Sequence, residues 1–240
     1  MRRTNRILWC VTVLVTALTA GVAFTQEKGK GRGGFGGGGN SLVTLAANEG
    51  VQKDIGLSGD VVAKLTSLRD DYRAAAQKEY QNAGISFQGL QNMSREERRA
   101  MTEKIAGVDR KLSDEFNPKL KALVSADQFK RLQQIQLQAN LRFRGPGALT
   151  YSDVASELKL SDEQKKKLDD LQTEYDAKQR ELFTGGGFDQ AAMAKLNEER
   201  TSKTMDILTA EQKEKLNTLK GQSFDVSQLG FGGGRRGKGN

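Results

Sequence analysis

A short helix-opening phrase occurs four times in this chain, in two matched pairs: Leu57-Ser58, Val124-Ser125-Ala126-Asp127-Gln128, Leu160-Ser161-Asp162-Glu163-Gln164 and Leu208-Thr209-Ala210-Glu211-Gln212. Residues Val51, Leu57, Ser58, Lys64, Leu65, Leu68 and Tyr72 recur as Val154, Leu160, Ser161, Lys167, Leu168, Leu171 and Tyr175 at a constant offset of 103. Val124, Ser125, Ala126, Gln128 and Leu132 recur as Leu208, Thr209, Ala210, Gln212 and Leu216 at an offset of 84. A repeat of this kind constrains architecture far more than activity.

The phrase has a local physical meaning. Ser or Thr at a helix N-cap accepts from the backbone NH three residues on, and Gln at that third position reaches back to the cap's own NH. Ser125/Gln128, Ser161/Gln164 and Thr209/Gln212 fit this capping box, whereas Ser58 fits only as a cap because Val61 stands where the Gln would be.

The stripes between these starts step by three and four. Val61, Leu65, Leu68, Tyr72 and Ala75 predict one helix face, and Met101, Ile105, Val108, Leu112 and Phe116 a second, opened by the capping box Ser94-Arg95-Glu96-Glu97. Asn117-Pro118 predicts a break or kink, and Phe129, Leu132, Ile135 and Ala139 a third face. Leu168, Leu171, Tyr175 and Leu182, then Met193 and Leu196, then Leu216 and Leu219, repeat the plan in shorter form. No segment alternates with period two, so the expected fold class is all-α: two tandem helical-hairpin units in an elongated, curved array, paired along narrow seams.

The expected boundaries follow. Residues 1–23 are a signal peptide, 24–40 a Gly-rich linker, 41–143 the first unit, 144–147 a linker around Pro146, 148–229 the second unit and 230–240 a Gly/Arg-rich tail. Arg2, Arg3 and Arg6, the apolar run from Ile7 to Phe24, and Ala20, Gly21 and Ala23 have the three-part layout of a secretory signal, with cleavage after Ala23. Retention of the run as an uncleaved anchor is the alternative. Cys10 lies too early for lipid attachment, and the mature chain then has no cysteine, histidine or tryptophan. That removes disulfides, thiol chemistry and the commonest transition-metal ligand.

The net charge of +8 would suggest nucleic acid. All of it lies in residues 1–39 and 231–240, however, so residues 40–230 are neutral. The Arg-Gly-Phe flavour of both ends suits soluble linkers or weak contact with anionic polymers better than specific nucleic-acid binding. Gly29-x-Gly31-x-x-Gly34 follows no strand and carries no dinucleotide reading. Acidic neighbours such as Asp70/Asp71, Asp169/Asp170, Glu96/Glu97 and Glu198/Glu199 point about 100° apart on a helix and do not converge on a metal or a scissile bond. No catalytic set, cofactor site or metal site is singled out, and the chain reads as a non-enzyme.

At the repeated phrase the chain resembles the LTxxQ group of exported helical proteins, the Spy/CpxP-like periplasmic family, and similar tandem-duplicated proteins of planctomycete-type bacteria. Leu208-Thr209-Ala210-Glu211-Gln212 has the signature letter for letter, and the copies at Val124 and Leu160 have Ser for Thr. The resemblance implies helical hairpins that form a cradle, and an ATP-independent chaperone or stress adaptor that binds unfolded or regulatory envelope proteins. The duplication suggests an internal pseudo-dimer in a monomer, with a homodimer as the alternative. Phe87, Phe183 and Phe188, at the two hairpin turns, are the candidate client-binding residues. A passive envelope scaffold is the second reading and a metal-responsive sensor the third.

Overall fold

The computed structural model describes residues 40–86, 93–184 and 189–230. Among them lie nine α-helices and no strand: α1 (Leu42–Ala46), α2 (Glu49–Asp54), α3 (Gly59–Asn82), α4 (Arg95–Lys121), α5 (Ala126–Arg144), α6 (Ser152–Glu157), α7 (Asp162–Thr184), α8 (Gln190–Ile207) and α9 (Ala210–Lys220). Two 3-10 turns, Gly145–Leu149 and Val226–Leu229, complete the list of elements. The all-helical expectation holds. The expected signal peptide, most of the first Gly-rich linker and the residues of the tail beyond Gly230 lie outside the described residues.

The order of elements repeats with the sequence. Helix α2 and helix α6 begin 103 residues apart, as do α3 and α7, and α5 and α9 begin 84 apart. α3 packs against α4, and α7 against α8. The sequence offset also pairs α1 with the Gly145–Leu149 turn, and Leu45 and Ala46 are buried like Ala148 and Leu149.

The residues expected as a linker, 144–147, fall at the start of this paired turn. Gly145, Pro146, Ala148 and Leu149 are buried, and Leu149 is 0% exposed. The Gly-Pro-Gly composition reflects geometry instead of looseness. Gly145 has φ +64°, and an added Cβ there would lie 2.8 Å from an Arg200 guanidinium nitrogen. Pro146 supplies a preset φ at the start of the turn.

Helices α2 and α6 end the same way. Leu57 N–H bonds Gln52 O at 3.0 Å, and its counterpart Leu160 N–H bonds Ala155 O at 3.0 Å, the six-to-one bond of a Schellman ending. The residue in the left-handed position is Gly56 in the first copy (φ +64°) and Lys159 in the second (φ 50°). A side chain costs about 1 kcal/mol in that conformation relative to glycine. Lys159→Gly should therefore raise the stability of the protein by about 0.5–1 kcal/mol in urea unfolding, a sign opposite to that of glycine inside a helix.

Helices α1 to α5 enclose the larger core, with Leu65, Leu68 and Tyr72 from α3, Val108, Leu112, Phe116 and Leu120 from α4, and Phe129, Leu132, Ile135 and Ala139 from α5. These are the expected stripes, extended by Ala76 and Tyr80 in α3. Helix α5 serves two cores, because its Leu137 packs with Leu149, Leu158, Leu160, Leu168, Leu208 and Leu216. Leu171, Tyr175 and Leu196 form a thin seam between α7 and α8. Narrow seams thus describe the second hairpin, while the first core draws on five helices and is thicker than expected.

Two further expectations are corrected. Pro118 does not break α4, which runs on to Lys121. Proline lies there in the last turn, where it removes one helical bond while Phe116 and Leu120 on either side stay buried. The second unit also does not keep residues 148–229 to itself. Phe224 and Leu229 are buried in the first core, so the strap after α9 belongs to the packing of the other copy.

Candidate functional site

The repeated motif residues form a polar brace at the roots of the helices. Ser125 and Gln128 close a capping box, with Gln128 N–H donating to Ser125 Oγ at 3.2 Å and Ser125 N–H to Gln128 Oε1 at 2.9 Å. Thr209 and Gln212 repeat it at 3.2 and 2.9 Å, and Ser161 and Gln164 at 3.2 and 3.1 Å. Capping leaves the amide nitrogen of each Gln available, and each spends it on another segment. Gln128 Nε2 donates to Ile55 O at 2.9 Å, at the end of α2, and Gln212 Nε2 to the equivalent Leu158 O at 3.1 Å, at the end of α6. Gln164 Nε2 donates to Ile207 O, the last residue of α8, at 2.9 Å.

In the second copy the two carboxamides also bond each other. Gln164 Nε2 donates to Gln212 Oε1 at 2.7 Å, and Gln212 Nε2 donates back to Gln164 Oε1 at 3.0 Å. Each amide oxygen then accepts twice and each amide nitrogen donates twice, so the pair is satisfied without water. The first copy lacks half of this arrangement. Val61 stands in the place of Gln164 and packs against the first core, and Ser58 occupies its N-cap with an extended backbone but makes no side-chain bond to the helix. The expected cap at Ser58 is thus positional only.

No family model, curated protein or solved structure matches this chain.

Phe183 is 55% exposed one residue before the end of α7. Phe87 and Phe188 lie outside the described residues. Among the described residues, no group of three or more acidic, His or Cys side chains is placed to hold a metal ion. No described helix is long and apolar enough to cross a membrane.

Between the long helices lie two polar features without a sequence signal. The Tyr80 hydroxyl donates to Asp109 Oδ1 at 2.5 Å across α3 and α4. Burial pushes the Asp109 carboxyl above its ordinary value, and the Tyr80 bond and the positive Arg144 offset this only in part. The folded chain therefore holds this proton more tightly than the unfolded chain. Its contribution to stability is complete below the ordinary aspartate range and is lost as pH rises through the raised pKa. Asp109→Asn keeps an acceptor for Tyr80, so the variant should gain stability relative to wild type from about pH 3 to about pH 7, measured as urea midpoints across that range.

In the second hairpin Lys178 and Lys203 alternate with Glu174 and Glu199 in a ring of four ion pairs of 2.8 to 3.4 Å between α7 and α8. The bonded lysines, Lys178 on Glu174 and Lys203 on Glu199, hold these carboxyls below their usual range. Both ammonium groups also lie over the ring of Tyr175, at 5.3 and 5.9 Å. Tyr175 is 2% exposed, and its hydroxyl oxygen is buried without a hydrogen-bond partner among the described residues. Desolvation, then the nearby Glu199 charge, pushes that hydroxyl's pKa up. Glu199 lies near the hydroxyl but outside full hydrogen-bond geometry, so Tyr175→Phe removes a desolvated oxygen and at most a weak contact, and should change stability by no more than about 1 kcal/mol in either direction. A loss above about 1 kcal/mol in thermal unfolding would reveal a bound partner on the hydroxyl.

Sequence reasoning found every Gln of the brace but not its cross-connections. It also missed Arg131 and Gln138 of α5, whose contacts with the C-terminal strap are described below. Arg131 carries no local signal in the sequence; it forms a two-bond ion pair with Asp54 of α2, at 2.7 and 3.1 Å.

Proposed function

We propose that this chain is an exported, non-enzymatic helical protein that holds unfolded or regulatory protein partners in the cell envelope, after the manner of the LTxxQ group it resembles. Export rests on the N-terminal layout of Arg2, Arg3 and Arg6 before an apolar run closed by small residues. The motif polar groups are consumed by the brace, which supports reading them as a frame for the helices. The single observation that carries partner binding is Phe183, a large apolar side chain 55% exposed in the last turn of α7. An exposed aromatic on a braced helix offers contact area at little ordering cost.

The test is light scattering of a chemically unfolded client diluted into buffer with the protein, at low salt and at about 0.5 M salt, where the Debye length falls to a few ångströms. Suppression that survives salt and weakens in Phe183→Ser supports the reading. Suppression lost with salt moves the activity to the basic ends, and none at either salt leaves a passive scaffold.

A further inference from the structure

The geometry points to a peptide-binding groove on the first helical unit, occupied in cis by the chain's own strap, that accepts a partner segment of the strap's shape, non-helical at its start and closed by a 3-10 turn, carrying Phe and an aliphatic residue five positions apart. This inference rests on the partner-binding reading above and names the segment chemistry.

The strap runs from Gly221 through the non-helical residues 222–225 into the Val226–Leu229 turn, which packs on α2 and α5. Its grip on the body is of two kinds. Phe224 and Leu229 are buried in the first core, with Val226 partly buried beside them. Three side chains of the body then bond the strap through main-chain atoms. Gln138 Nε2 donates to Lys220 O and to Gln222 O, both at 2.8 Å, and Gln138 Oε1 accepts from Phe224 N–H at 2.8 Å. Arg131 Nη1 donates to Gln222 O at 2.5 Å, and Asn48 Nδ2 to Gln228 O at 3.3 Å.

The Gln138 pattern is informative. One carboxamide meets the last carbonyl of α9, at Lys220, and then Gln222 O and Phe224 N–H, two residues apart as on one edge of a strand. By donating to one carbonyl and accepting from the amide two residues on, it does what a neighbouring strand's peptide unit does in β-augmentation. Such bonds are indifferent to the identity of the side chains at 220 and 222. Selectivity is left to the two apolar anchors, whose spacing is set by the sites of Phe224 and Leu229. Arg131 is itself fixed by its ion pair with Asp54, so the guanidinium is positioned before any segment arrives.

The test uses a fluorescent peptide with the sequence of residues 222–230 and the full chain, wild type and with Phe224→Ala and Leu229→Ala together, which loosens the strap. Fluorescence anisotropy should show the peptide binding the loosened chain at least about tenfold more tightly than wild type, where the strap competes. Adding Gln138→Ala, or replacing the peptide's Phe by Ala, should abolish that gain. A loosened chain that keeps its helical circular dichroism and binds the peptide no better than wild type overturns the groove. If the loosened chain does not fold, hydrogen exchange on wild type decides. Excess unlabelled peptide should speed exchange of the Phe224 amide, and an unchanged rate overturns the proposal. The two readings fail separately: peptide binding without suppression of client aggregation overturns the chaperone activity alone, and suppression without peptide binding overturns the groove alone.

Discussion

Leu149→Ala should lower the stability of this protein by about 3 kcal/mol, within the range of about 2–5 kcal/mol for a fully buried leucine cut back to alanine. The expectation is large because Leu149 has 0% exposure and lies in the second core with Leu137, Leu158, Leu160 and Leu168. It is also discriminating, because a residue two positions past Gly145-Pro146-Gly147 in a plain linker would tolerate the same change within about 0.5 kcal/mol. Urea unfolding of wild type and variant measures it directly, with the half-buried neighbour changed in Thr150→Ala as the control. A shift as small in Leu149→Ala as in the control would show that the Gly145–Leu149 turn is dispensable, and that the match with α1 is a coincidence of numbering.

Gln212→Glu is expected to destabilise the protein almost as much as Gln212→Ala, by about 2–3 kcal/mol. If the residue were only a cap the opposite would follow, since Glu serves the reciprocal position of a capping box as well as Gln does and adds a favourable charge at the helix start. The brace requires a donor. Gln212 Nε2 gives one hydrogen to Leu158 O and one to Gln164 Oε1, and a carboxylate has none to give. It would also face the Gln164 oxygen with a second acceptor. Gln128→Ala should cost less, about 1–2 kcal/mol, because Gln128 crosses to Ile55 O alone and has no carboxamide partner. A double-mutant cycle over Gln164 and Gln212 should return a coupling of about 1 kcal/mol or more, and independence of the two sites would remove the brace from the account.

Much of the local structure was legible. The three- and four-residue spacing of Leu65, Leu68 and Tyr72, or of Phe129, Leu132 and Ile135, marks a buried helix face because side chains three and four apart lie one above the other. The boxes at Ser94, Ser125, Ser161 and Thr209 were legible because a cap and its partner are three residues apart in every copy. Ser58 marks the limit of that reasoning, since its position as N-cap was correct while its hydroxyl bond did not form. The continuity of α4 through Pro118 and the burial of the Gly145–Leu149 turn were not legible, for a shared reason. Proline and glycine report the backbone conformation a position needs, and burial depends on which neighbours arrive from elsewhere.

What the sequence by itself determined is the longer helices, the starts of α3, α4, α5, α7 and α9, their apolar faces and the repeat that relates them, because each rests on contacts within a few residues along one chain segment. Only the tertiary structure decided which segments meet. Gln128 with Ile55, Gln164 with Gln212, Tyr80 with Asp109 and Gln138 with Phe224 join residues that are 29 to 86 apart. No local pattern encodes such a pairing, since a glutamine that caps and a glutamine that also crosses have the same spacing in the sequence. The physical difference is whether a second segment brings an unpaired carbonyl within reach of the amide nitrogen, and packing of the apolar faces settles that.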